Sequence, residues 1–472
     1  MSTASTASTV STVGLLARYV CNLKAADISG ADKHRAALCV LDTLAAAAAA
    51  LHSPSVVAAR EATIDLFGKG EVAIWFDGRR TTAAGAIFAN SSAAAFLDMD
   101  DGQIEAWGHP AAAVIPVVLA LAAETGASAD DVLAAIVVGY EVGTRIKAAR
   151  GSHGQPLEHG QTGVWTGFCV AAAAGWLLKR SPEQLANGLA LSGVYSPNLI
   201  ATGYTRQFGG DVQEGLPWST VAGYSSLILG KLGHIGFADI FDHLPFYNSR
   251  RILRGLGEEE MKINGNYFKP YATCRHFHGA LKALETLVSQ HDIKPAEITA
   301  IRVNIFEYAL KLSNKTRPEN LSDIQYSIPF CIAVMAMLGA EALMPIDESL
   351  IGREDICALA EKVEIVPNAE FSAQHAYAYQ HLPQPDEGSH PDFEFNSVDV
   401  VTTRGTYSSP RVTPPYGPDA PMSVDELKGK FRMATRYVLD HREQEDLLHA
   451  FASLLNGEIA PLLEVTARPV AK

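Results

Sequence analysis

Leu97-Asp98-Met99-Asp100-Asp101 packs three carboxylates into four residues, and His109-Pro110 follows, the histidine eleven positions after the first acid. Both flanks are apolar, Ala93-Ala94-Ala95-Phe96-Leu97 before and Ala111-Ala112-Ala113-Val114-Ile115 after. Charges at the edge of an apolar core are costly unless they are paired, bound to something, or used in a reaction. Three further clusters share this character. Glu158-His159-Gly160-Gln161-Thr162-Gly163 sets a histidine in a glycine-flanked loop before a long apolar helix over 164–178, whose N-terminal amides and dipole suit a carboxylate. Phe268-Lys269-Pro270-Tyr271-Ala272-Thr273-Cys274-Arg275-His276-Phe277-His278 gathers two cations and two histidines at a suspected domain boundary. Tyr204-Thr205-Arg206-Gln207-Phe208-Gly209-Gly210-Asp211 is a glycine-containing loop with one arginine.

Each cluster alone has a plain reading: helix-end acids, a capping histidine, a Lys-Pro-Tyr turn, a surface arginine. Together they supply what proton abstraction beside a carboxylate requires. The C–H is weakly acidic, so cations must stabilise the developing charge while a positioned base takes the proton. Other chemistries fit worse. The histidines lack His-x-x-x-His spacing, and the acidic run lacks the glycine and terminal glutamate of a calcium loop. There is no G-x-S-x-G elbow and no phosphate-binding loop, and Gly-x-Gly fragments do not sit between a strand and a helix. Asp98-Met99-Asp100-Asp101 also fits the D-x-D-D motif of terpene cyclases, but the surrounding helices are alanine-rich where a polyene cation wants aromatic walls.

The elements that position these residues fall into two kinds. Up to about residue 257 the pattern is helical and alanine-rich. Ser128-Ala129-Asp130-Asp131 and Ser181-Pro182-Glu183-Gln184 read as helix starts, and only 72–76 reads as a strand. From residue 264 the character changes: 298–306 alternates, with Ile301, Val303 and Ile305 on one face, and 362–366 and 393–403 behave similarly. Helical stretches at 279–290 and 327–338 lie between them. A Pro-rich connector over 409–421 leads to Ser423-Val424-Asp425-Glu426 and a last apolar-periodic region. The expected organisation is mainly α with an α+β lid: a helical domain over 1–264, the lid over 265–410, and 411–472 returning to the helical domain.

The 472 residues exceed what one core accommodates, and 48% hydrophobic with 19% charged describes a globular protein with much to bury. A net charge of −14 argues against nucleic acid or an anionic membrane as partner. Six scattered cysteines without CxxC suggest neither a disulfide framework nor a zinc knuckle, so a reduced cytoplasm is the expected setting. The Ser/Thr/Ala-rich start lacks a basic n-region, and the longest apolar window, 110–123, is short of the ~20 residues of a membrane span.

The chain resembles the MmgE/PrpD family, which includes 2-methylcitrate dehydratases, cis-aconitate decarboxylases and iminodisuccinate epimerases. The resemblance rests on pieces in order: Leu41-Asp42-Thr43-Leu44, Asn90 before the acidic run, Gly139-Tyr140-Glu141-Val142-Gly143-Thr144-Arg145, and His159 before its helix. Lys269-Pro270-Tyr271 with Cys274-Arg275, Tyr326-Ser327-Ile328-Pro329-Phe330, Pro421-Met422-Ser423 and Lys430-Phe431 complete it. It implies a helical domain with an inserted lid, a homodimer, and a lyase acting on a small (poly)carboxylate without metal or other cofactor. A 2-methylcitrate-dehydratase-like hydro-lyase is the leading expectation, with decarboxylation, epimerisation and a non-catalytic carboxylate-binding homologue as alternatives. By position, the resemblance makes Asp98, His109, His159 and Lys269 the catalytic candidates and Arg275 a ligand of a substrate carboxylate. Asp101, Gly102, Arg206, Thr273 and Phe330 are the remaining substrate-binding candidates. Three departures stand out. Gly102 replaces a threonine or serine, and the loop to His109 is longer. Asp211 to Trp218 lacks the lysine of many members and gains an acid. Phe330 stands where a tyrosine is common. Fewer cations and an added Trp and Phe suggest a less charged or more apolar acid than citrate.

Overall fold

A computed structural model describes residues 11–150, 162–197, 213–244, 246–380 and 394–470. His159 and Arg206 lie outside the described residues. The protein is mainly α-helical with a small α+β region.

The centre of the helical body is Ala111–Thr125, in which every residue from Ala111 to Ala122 is buried. An apolar helix surrounded on all sides is buried all round. Its neighbours are Gly30–Ala49, Ala83–Ala95, Ala129–Ala148 and Thr166–Leu177. Small residues set their spacing. A Cβ on Gly143 would sit 2.0 Å from the Cys169 sulfur, so the glycines of the Gly139–Gly143 stretch permit the close crossing of Ala129–Ala148 over Thr166–Leu177. The two helix starts form as expected: Ser128 accepts the Asp131 N–H, and Ser181 and Gln184 complete a capping box behind Pro182. The run at 72–76 contributes only Val72–Ala73, paired with Arg80–Thr81. Asn90 explains why the strand stops there: its side chain accepts the Trp75 N–H (2.9 Å) and donates to the Ala73 carbonyl (3.3 Å), taking over groups a longer ladder would use.

The α+β region holds a four-stranded sheet in the order Val363–Pro367, Ile298–Ile305, Ser397–Thr402, Gly405–Ser408. The second strand runs parallel to the first and antiparallel to the third. Its alternation has the anticipated cause: Ile301, Val303 and Ile305 are fully buried while Thr299 and Arg302 face out. Helices His278–His291 and Ile328–Leu338 pack in this region.

Two connections bind the acidic run to distant parts of the chain. Gly102–Gln103 pairs antiparallel with Asn266–Tyr267, which sequence alone did not suggest. From the C-terminal region, helix Val424–Thr435 lies against Gly30–Ala49. Its buried Lys430 ammonium bridges Asp42 (2.5 Å) and the Met99 carbonyl (2.7 Å).

Candidate active site

The acidic run leaves helix Ala83–Ala95 through a tight turn that ends at Asp98, whose φ of 48° is left-handed. Aspartate tolerates this region better than most residues, and such conformations persist where the surroundings enforce them. The Gln325 side chain donates to the Phe96 carbonyl (2.9 Å), and Lys430 holds Met99 from the other side. The short pairing of Gly102 with Tyr267 sets the acidic run beside the segment that continues to Lys269. Lys269 is 1% exposed, and its ammonium donates to Asp98 Oδ1 at 2.5 Å.

His109 completes the group. Its Nδ1 is 2.7 Å from the Asp101 carbonyl, which can only accept, so Nδ1 carries the proton and Nε2 is left to face Asp98 Oδ1 at 3.5 Å. Burial disfavours the imidazolium, but the Asp100 and Asp98 carboxylates outweigh it and raise the pKa of His109 above its ordinary value. Asp100 is pushed up to about 7, chiefly by burial, with His109 and Lys269 working against the rise. Its Oδ2 has no hydrogen-bond partner among the described residues. Asp98, Asp100 and His109 present ligand atoms within 4.8 Å of one another. With the Lys269 ammonium already on Asp98 and Nδ1 turned to a carbonyl, the set fits a carboxylate cluster neutralised by lysine better than a metal centre.

Asp98, His109 and Lys269 open on a cavity whose wall also includes Glu214, Arg275 and Tyr326. Tyr326 is held far above its usual pKa by burial and then by Asp98, so it remains a phenol. His276 is held well below its usual range by burial, with His375 and Arg275 adding to this, so it stands neutral in the wall.

Several expected binding residues have other duties. Asp101 is fully buried behind the cavity, where it accepts the Ala111 N–H at a helix start (3.1 Å) and the Tyr140 hydroxyl. Thr273 is buried against His278, 3.0 Å between Oγ1 and Nε2, and Phe330 is fully buried in helix Ile328–Leu338. None of the three lines the cavity. Gly102 does not line it either: a Cβ there would lie 2.2 Å from the Tyr267 ring, so Tyr267, which does line the cavity, fills the space a side chain would need. Arg275 does reach the cavity, but its guanidinium is bonded to Glu394 and lies over the Tyr267 ring, 4.2 Å to the centroid. Trp218 does not make the cavity apolar; it is half exposed and packs at a tilt against Phe88 and Phe67.

Glu394 and Tyr267 were not anticipated. Glu394 lies over a hundred residues from its partners Arg275 and His276, and no local pattern marks it. Tyr326 could have been found, since it opens the Tyr-Ser-Ile-Pro-Phe piece of the resemblance. Glu214 could also have been promoted from "an acid gained" to a wall residue by its place before Gly215-Leu216-Pro217.

Residues 14–243 match the MmgE/PrpD N-terminal domain and residues 271–454 the MmgE/PrpD C-terminal domain. The chain is also 24% identical to a cis-aconitate decarboxylase-like protein, oryM, of Aspergillus oryzae, over 95% of each sequence.

Proposed function

The chain belongs to the MmgE/PrpD family, and from that premise we propose that it is a lyase that forms a carbanion beside the carboxylate of a small acid, first of all a hydro-lyase. The observation that carries this reading is the placement of His109 Nε2, the Asp98 carboxylate and the Lys269 ammonium together at one cavity wall. In dehydration, Nε2 takes the proton from the carbon next to the substrate carboxylate. The electron pair moves into that carboxylate, opposite the Lys269 ammonium, and then forms the double bond as hydroxide leaves the adjacent carbon. A proton returned to the hydroxide gives water. Asp98 and Asp100 stabilise the imidazolium that forms, consistent with the raised pKa of His109.

Decarboxylation is the second reading, supported by the cis-aconitate decarboxylase-like relative. There the C–C bond breaks first, CO2 departs, and protonated His109 delivers its proton to the carbanion. The same groups serve both routes. Asp98 sits against an ammonium, which argues against the terpene-cyclase reading, since alkene protonation needs an un-ionised acid.

The test is an NMR screen of small di- and tricarboxylates in deuterated water, which reports C–H exchange, water loss and CO2 loss together. Turnover by the wild type and its loss in His109→Gln is the expected result. A carboxylate that binds calorimetrically but shows none of the three changes makes the protein a binding homologue instead.

A further inference from the structure

Glu214 is a wall residue of the cavity whose charge acts on His109 and Tyr326. Its backbone is left-handed (φ 54°, ψ 21°), and Gly215 follows in the same region (φ 72°, ψ 9°). A residue with a Cβ is held there only where its surroundings over-determine it. They do so here. Gly163 packs so tightly that a Cβ on it would lie 2.4 Å from the Glu214 carbonyl oxygen. The Thr162 N–H donates to Glu214 Oε2 at 2.8 Å, and the Thr162 hydroxyl accepts the His109 N–H at 3.4 Å. One turn, Thr162–Val164, therefore fixes both the carboxylate and the histidine.

The other cavity carboxylates are committed. Asp98 takes the Lys269 ammonium, and Glu394 takes Arg275 and His276. No cation lies within ion-pair distance of Glu214 among the described residues. A carboxylate offers about four acceptor positions, and only one of those on Glu214 is used by the described residues.

We propose that Glu214 determines specificity by accepting a hydrogen bond from a hydroxyl or ammonium group of the substrate. This deepens, and rests on, the reading of the cavity as the site of a carboxylic-acid lyase. The substrate then presents a carboxylate toward Lys269 and a donor toward Glu214, and a second carboxylate at that end is repelled. Glu214 thereby sorts hydroxy and amino acids from bare polycarboxylates.

Calorimetry with matched probes tests this: malate and aspartate against succinate, which lacks the donor. The wild type is expected to bind malate and aspartate at least tenfold more tightly than succinate, as a charge-assisted hydrogen bond requires. In Glu214→Gln the aspartate preference should fall to about threefold or less. Glu214→Asn, whose side chain suits a left-handed backbone, should lose the preference equally, which separates the lost acid from any change in the loop. Equal affinity for all three probes, no measurable binding of malate or aspartate, or a preference unchanged in both variants overturns the proposal. Discrimination without C–H exchange, water loss or CO2 loss would leave Glu214 standing and remove the lyase reading. Turnover without discrimination does the reverse.

Discussion

Replacing Lys269 by methionine keeps most of the side-chain volume and removes the charge that neutralises Asp98. At 2.5 Å, and with an effective dielectric of about 20, the attraction between the two charges is about 7 kcal/mol. Part of this only offsets the cost of burying the ammonium, so the net loss should match that of breaking other buried pairs, about 3–5 kcal/mol. The penalty falls on Asp98, left ionised beside Asp100 in a site where the lysine was 1% exposed. The double variant Asp98→Asn/Lys269→Met replaces the pair by neutral groups, and most of the lost stability should return. Activity should not return, because the charge opposite the developing carbanion is gone; a loss of at least a hundredfold is expected in both variants. Urea unfolding followed by tryptophan fluorescence, with turnover on the best acid from the NMR screen, measures both quantities. If Lys269→Met unfolds at the wild-type urea concentration, or the double variant is no more stable than the single one, the buried pair does not hold the site as argued.

Other consequences follow from neighbouring groups. Asp100, raised from its ordinary 3.8 to about 7 by burial, binds its proton more tightly folded than unfolded. Its contribution to stability is therefore full below about pH 4 and is lost as pH rises through about 7. Asp100→Asn should raise the thermal midpoint relative to wild type more at pH 8 than at pH 5, and an equal effect at both would contradict the assignment. Tyr140→Phe removes a hydroxyl bonded to buried Asp101 and should cost about 1–3 kcal/mol, read as a lower unfolding midpoint. Gly102→Ser drives a side chain into Tyr267 and should cost about 1–3 kcal/mol of stability by overpacking; in a Tyr267→Ala background the same substitution should cost much less. Leu232, Ile235 and Phe237 are each more than 60% exposed beside the end of helix Leu216–Lys231, an apolar face of the kind a second copy of the chain would cover. Light scattering should then show Ile235→Glu shifting a dimer toward monomer.

The parts of the fold legible in the sequence are those governed by local periodicity. The alternation in Ile298–Ile305 and the capping box at Ser181 each depend on a few adjacent residues, and both appear as expected. The site was legible where chemistry and apolar flanks coincided, as for Asp98, His109 and Lys269. It was not legible where a polar residue serves the interior. Asp101 carries the same charge as Asp98 three positions away, yet one caps a helix and the other faces the cavity. A left-handed turn at Asp98 makes that difference, and composition does not encode it. Arg275 lines the cavity, and its partner Glu394 comes from a distant segment that only tertiary structure brings close. Phe330 was a binding candidate by its place in the resemblance, and Trp218 was counted with it as a sign of a more apolar acid. One is spent in the core and the other on a tilted contact with Phe88 at the surface.

The Lys430 bridge to Asp42 and the Met99 carbonyl has a consequence for the order of events during synthesis. Asp98 and Asp100 leave the ribosome more than three hundred residues before the lysine that steadies the backbone between them. A nascent chain can bury most of its helices and still lack the last brace on its acids. A product cut short before Val424 should then be largely helical yet inert, so that completeness of the polypeptide, rather than folding of the first half, switches the chemistry on.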